Sequence, residues 1–461
     1  MKSAPGTSAE QAILSAAQQI RGADDDYNAL MDLVGDARFV LLGEATHGTH
    51  EFYAERARIT QRLIQEKGFC ALAVEADWPD AWRVNSYVRR GGKDDGGDGP
   101  ARAGQGADAT AVQALGGFQR FPAWMWRNTD IVQLVEWLHG HNAALPAQQQ
   151  VGFYGLDLYS MYTSIAEVLR YLEQVDPAAA GEARKRYACF DHYDEDSQAY
   201  GHAATFGVSE SCQNAVIAQL QHLHEQAGRY KDSDGASAHD AFFYAQQNAR
   251  LVMNAEKYYR TMFHGRVASW NLRDQHMAET LDALATHLSA ANGAPAKIVV
   301  WAHNSHVGDA RATEVQGLGE WNVGQLARER YGDSARLIGF STYQGWVTAA
   351  SSWDGPAERK RVLPALPGSV EALLHNALPG NFILPLMAGT SAAQALDARK
   401  LERAIGVLYL PRTERQSHYF HASLPRQFDA VIHFDVTGAL TPLEVMGRPG
   451  AEFPETYPEG I

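Results

Sequence analysis

The chain of 461 residues carries 40 lysines and arginines against 54 aspartates and glutamates, which gives a formal net charge of −14. Binding to nucleic acid or to an anionic membrane needs clustered basic residues, so this balance argues against both as partners. Hydrophobic residues make up 45% of the sequence, enough for a large core, and the length predicts two or three domains.

The three cysteines, Cys70, Cys189 and Cys212, are far apart and form no C-x-x-C pair. This spacing argues against a disulfide framework and against a thiolate zinc site. The first 20 residues lack the long apolar stretch of a signal peptide, and the sequence has no run of about 18 apolar residues. We therefore expect a cytoplasmic protein without a membrane-spanning segment.

The first part of the chain alternates helical and extended patterns. Apolar periodicity predicts a helix over 8–35, a strand at 38–42, a helix at 51–67 and a strand at 69–74. Because a helix of adequate length connects the two strands, we expect them to be parallel neighbours in one sheet.

Residues 91–108 contain seven glycines and few apolar residues, a composition that predicts a mobile surface loop. The elements predicted after this stretch are helices at 129–140, 161–174, 211–228, 238–262 and 274–290, and strands at 151–154, 297–302, 336–340, 405–410 and 429–435.

This order of elements predicts an α/β fold, a three-layer arrangement in which helices flank a sheet of mainly parallel strands. We expect the core to be discontinuous, formed by 8–160 and 270–345. Residues 161–269 are then an inserted helical subdomain, and 346–461 a smaller α+β portion that completes the fold.

Four predicted strands end in polar side chains. Ligands of open α/β sheets bind outside the carboxyl ends of the strands, so these side chains are expected to meet at one site. They are Glu44 and His47, Glu75 and Asp77, Asp157 and Tyr159, and His303 and His306. Two tryptophans, Trp78 and Trp126, are candidates for the apolar lining of the same cleft.

Several covalent routes are excluded by their motifs. The sequence has no G-x-S-x-G elbow, no H-E-x-x-H helix and no G-x-x-x-x-G-K-[ST] loop. The histidines and carboxylates are suited to activating water, with Arg56 holding Glu44 or Glu75 or stabilising an oxyanion. The same cluster could instead ligate zinc or manganese, or serve a binding protein without catalysis. These three possibilities remain open at this point.

Five segments resemble the erythromycin esterase family in the order expected for it: GEATHGTHEFYAER, VEADWPDAWRVNSYV, GFYGLDLYS, SWNLRDQHM and WAHNSHVGDARATE. The resemblance implies an α/β core with a helical insertion and the hydrolysis of an ester or a lactone, in some members the lactone of macrolide antibiotics. It further implies that His47 is the general base that activates water without a cofactor. Glu44 and Glu75 would be its partner carboxylates, and Arg56, His303 and His306 would complete the site.

From the residues and the resemblance together, we expect a carboxylic ester hydrolase that acts on a small-molecule ester or lactone. The substrate-binding residues predicted beside the catalytic set are Asp77, Trp78, Asp157, Tyr159 and Trp126.

Overall fold

The structure is a computed structural model and describes residues 8–89, 108–231 and 235–443. Its strands are β1 (Gln18–Gln19), β2 (Phe39–Leu42), β3 (Ala71–Asp77), β4 (Gly152–Asp157), β5 (Ile298–Trp301), β6 (Ala335–Ala349), β7 (Glu358–Val362), β8 (Phe382–Pro385), β9 (Lys400–Arg403), β10 (Tyr419–Ala422) and β11 (Ala430–Thr437). Its α-helices are α1 (Ala9–Ala16), α2 (Asn28–Val34), α3 (His50–Lys67), α4 (Trp78–Val88), α5 (Ala111–Ala114), α6 (Thr129–Ala143), α7 (Met161–Val175), α8 (Pro177–Tyr187), α9 (Ser197–Thr205), α10 (Gln213–Glu225), α11 (Ala227–Lys231), α12 (Gly235–Thr261), α13 (Arg266–Asn292), α14 (Asn304–Val307), α15 (Val323–Tyr331), α16 (Val370–Ala377), α17 (Ser391–Leu396), α18 (Glu414–Ser417) and α19 (Leu424–Gln427).

Within the described residues, nine strands form one sheet in the order β1-β8-β11-β6-β2-β5-β3-β4, with β7 paired to β6. The strands from β11 to β4 in that order run parallel. At one end β8 pairs antiparallel with β11, and β1 pairs antiparallel with β8. The prediction of an α/β fold with a mainly parallel, helix-flanked sheet is confirmed. Strands β8 and β11 also bring residues from the last quarter of the chain into this main sheet.

The central strands are apolar on both faces because helices cover both sides of the sheet. Successive side chains of a strand point to opposite faces, and two large hydrophobic clusters follow from this. Leu41 and Val300 belong to one cluster, whereas Leu42 and Trp301 belong to the other. The buried sheet is therefore a rigid support for the loops at its carboxyl edge.

The predicted order of the first strands is wrong. Strand β5 lies between β2 and β3, with Ile298 opposite both Phe39 and Ala71. The crossover helix between β2 and β3 determines that the two strands run parallel. It does not determine whether a strand from later in the chain lies between them.

The helix predicted over 8–35 is also wrong. Helix α1 ends at Ala16 and α2 begins at Asn28. Between them, Asp26 Oδ2 accepts hydrogen bonds from the backbone N–H groups of Arg21, Gly22 and Ala23 at 2.7–2.9 Å. An aspartate that binds its own upstream backbone in this way favours a turn over a helix.

Near the C-terminal end, the strand predicted at 405–410 is not formed. Residues 400–403 form β9 instead, and Ile405 and Leu408 make only isolated bridges with Thr46 and Ala350. The apolar run is buried for a different reason: it packs beside the loop that follows β2, where His47 N donates to Ile405 O at 3.4 Å.

The argument against disulfides is wrong for one pair. Cys189 and Cys212 form a disulfide with a Cα–Cα distance of 6.0 Å, between the end of α8 and the start of α10, whereas Cys70 is free. Among the described residues, none of the helices is long and apolar enough to cross a bilayer. The predicted mobile loop at 91–108 lies, except for Asp108, outside the described residues.

Candidate active site

A cleft of about 90 Å³ opens at the carboxyl ends of β2, β3, β4 and β5. Eight of the predicted site residues line it, together with Arg273. The eight are His47, Glu75, Asp77, Trp126, Asp157, Tyr159, His303 and His306. Each predicted strand end therefore contributes to one site, as expected from the parallel sheet.

The loop after β2 positions His47 through a chain of buried contacts. His47 Nδ1 lies 2.9 Å from Glu44 Oε1, and Arg56 Nη2 donates to Glu44 Oε2 at 2.6 Å. The Arg56 guanidinium is held between the rings of Tyr53 and Trp301, each with its centroid 4.5 Å away. Glu44 is an acceptor at both oxygens, so Nδ1 of His47 carries the proton and Nε2 is left as the basic nitrogen.

Glycines let this loop approach its neighbours. A Cβ atom at Gly43 would overlap the Asn304 side chain, and one at Gly48 would overlap the Thr348 backbone carbonyl. These close approaches require glycine, because no side chain could be accommodated without moving the loop.

His303 lies beside His47, with ring centroids 4.8 Å apart. Its Nδ1 accepts the backbone N–H of Ser305 at 3.2 Å, so the proton of the neutral ring lies on Nε2. Nε2 has no hydrogen-bond partner among the described residues. Burial, together with the neighbouring His47, holds the pKa of His303 well below its usual range. His303 is therefore a neutral ring in the lining of the cleft.

Glu75 at the end of β3 links the other side of the site. Its Oε1 accepts from Arg273 Nη2 at 2.7 Å, and its Oε2 accepts the backbone N–H of His303 at 2.8 Å. Burial raises the pKa of this carboxyl, but the charges of His306 and Arg273 outweigh burial and hold it well below its usual range. Glu75 is thus ionised at neutral pH.

Arg273 is the central cation of this side. Besides Glu75, it binds both oxygens of Asp157, with Nε–Oδ1 at 3.0 Å and Nη2–Oδ2 at 2.6 Å. Its Nη1 also lies 3.1 Å from His306 Nε2. Despite burial, Arg273 keeps the pKa of Asp157 below its usual range. The bidentate geometry fixes the guanidinium plane in the cleft.

His306 is oriented by a carboxylate of its own. Its Nδ1 lies 2.9 Å from Asp274 Oδ1, and its ring stacks on Trp270 at 4.6 Å. Burial lowers the pKa of His306, but the carboxylates of Asp274 and Glu75 outweigh burial and raise it. His306 therefore provides a positive or readily protonated ring next to Glu75.

At the mouth of the cleft, Asp77 Oδ2 accepts from Arg120 Nε at 3.1 Å, and Arg120 stacks over Tyr159 at 4.4 Å. Burial raises the pKa of Asp77, and Asp157 adds to this effect against the opposing charge of Arg120. The apolar wall opposite includes Trp126 and an edge-to-face pair of Phe121 and Trp353 with centroids 5.0 Å apart.

The structure thus brings together ten of the eleven predicted site residues, with Glu44 and Arg56 directly behind His47. Trp78 is the exception: it does not line the cleft, and only 2% of it is exposed. Its ring packs on Trp82 and Tyr154 at about 6 Å. This location is that of a core residue, because Trp78 begins α4 with its side chain turned into the helical layer.

Two residues inside α13, Arg273 and Asp274, belong to the site although neither is among the predicted site residues. Each side chain bonds to residues of the site rather than to the other. The signal that could have found them is charge balance. Several buried carboxylates at the strand ends require more than the single Arg56 as counter-charge.

The donor set does not fit a metal ion. Both oxygens of Glu44 and both oxygens of Glu75 are already engaged by protein donors. No group of three or more potential ligands is arranged to hold a metal within the described part of the chain. A cation would also meet the positive charges of Arg56 and Arg273.

A buried carboxylate–histidine pair at the edge of a cleft is typical of sites that carry out acid–base chemistry, including those of hydrolases. Comparison with known sequences agrees: the Erythromycin esterase family matches residues 64–437. The chain belongs to the erythromycin esterase family, and this membership supports hydrolase or esterase activity at the level of the family.

Individual relatives are distant. YbfO of Bacillus subtilis (strain 168) is 24% identical over 430 residues, which cover 88% of this chain and 85% of YbfO. Erythromycin esterase type II of Escherichia coli is 23% identical over 335 residues, covering 70% of this chain and 74% of that protein. The solved structure of an erythromycin esterase mutant in its open conformation aligns with a TM-score of 0.64 at 19% identity, covering 92% of this chain and 96% of that one. This structural likeness supports the same fold.

Proposed function

We propose that this protein is a carboxylic ester hydrolase in which His47 activates a water molecule that attacks an ester or lactone carbonyl, without a covalent intermediate. The observation that carries the proposal is the 2.9 Å contact between His47 Nδ1 and Glu44 Oε1, with Arg56 holding the other oxygen. Glu44 fixes the tautomer and stabilises the imidazolium that forms when Nε2 takes a proton from water.

The other residues have separate roles in this proposal. The Nε2–H of His303, which lacks a partner among the described residues, donates to the carbonyl oxygen as negative charge develops there. Arg273 and His306, held by Glu75, Asp157 and Asp274, add positive charge on the same side. Asp157 then positions Arg273 rather than binding substrate, since Arg273 occupies both of its oxygens.

We propose that Asp77, Tyr159 and Trp126 contact the substrate at the mouth of the cleft, and that Trp78 does not. The volume of about 90 Å³ holds about three water molecules, whereas sites for drug-sized ligands measure roughly 300–1,000 Å³. A small ester or lactone group fits directly. A macrolide requires the Phe121–Trp353 side of the cleft to open, so we propose macrolides as substrates only of an opened form.

We assign no step to a metal ion, because the carboxylates of the site are engaged by arginines and backbone N–H groups. A cytoplasmic location stays a prediction from the sequence. Reducing compartments keep thiols reduced, so that location requires Cys189 and Cys212 to lose the disulfide seen here.

The test is a mass-spectrometric screen of macrolides and simple esters with wild type, His47→Ala and His50→Ala. His50 is a matched control: it is three residues away, and its Nδ1 lies 3.0 Å from Asp130 outside the cleft lining. With wild type and His50→Ala we expect a lactone to give one product heavier by one water, and a simple ester to give an acid and an alcohol whose masses add up to the ester plus one water. We expect neither with His47→Ala. Full turnover by His47→Ala would refute the proposed base, and binding without product in wild type would favour a binding protein.

A further inference from the structure

Strand β7 is an edge strand beside β6. Within the described part of the chain it pairs with no other strand. The N–H of Thr348 on β6 donates to Gly48 O at 2.9 Å and not to β7, so Thr348 and the opposite residue Arg359 exchange no hydrogen bonds. Because an antiparallel ladder alternates such pairs with hydrogen-bonded ones, the backbone N–H and C=O groups of Arg359 and Arg361 point away from β6. Among the described residues these groups have no hydrogen-bond partner.

One face of this edge is exposed, and it is cationic and aromatic. Successive side chains of a strand point to opposite faces, and accordingly Val362 is buried whereas Arg359 and Arg361 are exposed. Trp346 of β6 lies opposite Arg361 and is 39% exposed. The guanidinium carbon of Arg359 lies 4.6 Å from the centroid of the Trp346 ring. This face therefore presents an aromatic ring flanked by two guanidinium groups.

The two arginines have no acidic partners of their own. Neither Arg359 nor Arg361 forms an ion pair with any carboxylate of the described residues. The neighbouring Lys360 belongs to the opposite face, where its Nζ donates to the backbone carbonyls of Ala350 and Tyr409, both at 2.9 Å. The free edge is thus a local concentration of positive charge on a chain whose formal net charge is −14.

The charge and the geometry of the edge decide which partner fits it. A second copy of this chain docked edge to edge would place arginines beside arginines, and like charges opposite each other destabilise a sheet. An extended peptide with acidic side chains at alternate positions carries them on one face at the two-residue spacing of Arg359 and Arg361, roughly 7 Å. Such a peptide can pair with the free backbone groups as an added strand, and its carboxylates can pair with the guanidinium groups.

We propose that the free edge of β7 is a docking site for an extended acidic segment of another protein, which adds to the sheet as a further strand. The acidic side chains contact Arg359 and Arg361, and the Trp346 ring holds the Arg359 guanidinium over the exposed face. None of these three residues lines the active-site cleft. The site is separate from ester hydrolysis, so its failure would leave the proposed function untouched.

The test is fluorescence anisotropy of labelled peptides titrated with the full chain at low ionic strength, where contacts between exposed charges are least screened. The probe is the capped heptapeptide Thr-Glu-Thr-Glu-Thr-Glu-Thr. One comparison peptide carries glutamine in place of glutamate. The other carries N-methylated glutamate, which keeps the charge but lacks the N–H groups that would face β7.

The variant of the docking site is Arg359→Gln/Arg361→Gln. Its matched control is Arg184→Gln/Arg426→Gln, which removes the same number of charges. Arg184 and Arg426 are exposed arginines that pair with carboxylates elsewhere on the surface. The two variants therefore separate a local contact with the β7 edge from the effect of overall charge.

We expect wild type to bind one acidic peptide per chain and the control variant to bind it equally well. Loss of two exposed ion pairs predicts at least about fivefold weaker binding of the probe by Arg359→Gln/Arg361→Gln and of the glutamine peptide by wild type. The N-methylated peptide should bind at least as weakly, because its strand cannot donate hydrogen bonds to the edge. The peptide comparisons use wild type and so test the proposal even if the docking-site variant does not fold.

Absence of saturable binding would overturn the proposal and leave the arginines only the role of keeping the edge from pairing with other chains. Equal binding of the N-methylated peptide would overturn strand addition, and equal binding by the two variants would overturn the location. A wild-type dimer in analytical ultracentrifugation that is lost in Arg359→Gln/Arg361→Gln would assign the edge to a second copy of the chain instead.

Discussion

Replacement of Arg56 by methionine tests whether the His47 unit depends on a buried ion pair. Arg56 and Glu44 are joined at 2.6 Å, and their side chains are 1% and 3% exposed. Methionine keeps the apolar contacts with Tyr53 and Trp301 but removes the charge. Breaking a buried pair leaves one charge uncompensated, at a cost of about 3–5 kcal/mol in the free energy of unfolding.

Arg62→Met is the matched control. Arg62 lies on the same helix α3 and pairs with Glu66 at the same distance of 2.6 Å, but these side chains are 17% and 43% exposed. An exposed pair of this kind contributes less than about 1 kcal/mol. The two variants should therefore differ by at least about 2 kcal/mol, more than a tenfold difference in the folding equilibrium.

The assay is equilibrium unfolding in urea with linear extrapolation, together with the rate of ester hydrolysis. Arg56→Met should lose both stability and rate, because Glu44 is no longer held against His47 Nδ1. Arg62→Met should keep the wild-type rate. Equal losses of stability in the two variants would refute the reasoning that burial makes the Arg56–Glu44 pair important.

Three further predictions concern Glu75, His276 and metal ions. Glu75→Gln removes the charge that holds Arg273 and His306, so kcat should fall at least about a hundredfold; an unchanged kcat in a folded variant would contradict this role. Burial lowers the pKa of His276 to about 3, against about 6.5 when unfolded. Between about pH 3 and about pH 6.5 only the unfolded chain then binds this proton, so His276 alone should contribute a loss of about 2 kcal/mol in the free energy of unfolding between about pH 7 and about pH 5. His276→Gln should lose less in urea unfolding, and identical losses would contradict the shift. Dialysis against a chelator should leave the hydrolysis rate unchanged, whereas a loss restored by zinc or manganese would favour the metal-dependent alternative.

The strand ends of the site could be predicted because they depend on local pattern. Four site residues lie at the end of a short apolar run or just after it: Glu44, Glu75, Asp157 and His303. Parallel strands place such ends at one edge of the sheet. The order of the strands could not be predicted in the same way. The place of β5 between β2 and β3 depends on packing between segments far apart in the sequence.

Trp78 and Arg273 show the limit for side chains on helices. Trp78 is the first residue of α4, whereas Arg273 lies inside α13. Sequence pattern does not determine which way such a residue turns when both faces of the helix are buried. Trp78 was expected in the cleft but packs in the core, whereas Arg273 was not predicted in the site but binds Glu75 and Asp157. Only tertiary packing distinguishes the two outcomes.

The insertion of β5 also has a consequence for how the chain folds. Glu75 and His303 are joined by a hydrogen bond across 228 residues, and β2 and β3 each have an edge without a partner until β5 arrives. A ribosome therefore releases both strands long before the segment that separates them. Such late pairing slows folding, and open edges attract other chains in the meantime. The centre of the sheet, which later holds the active site rigid, cannot be completed until the first 301 residues have been synthesised, because β5 ends at Trp301.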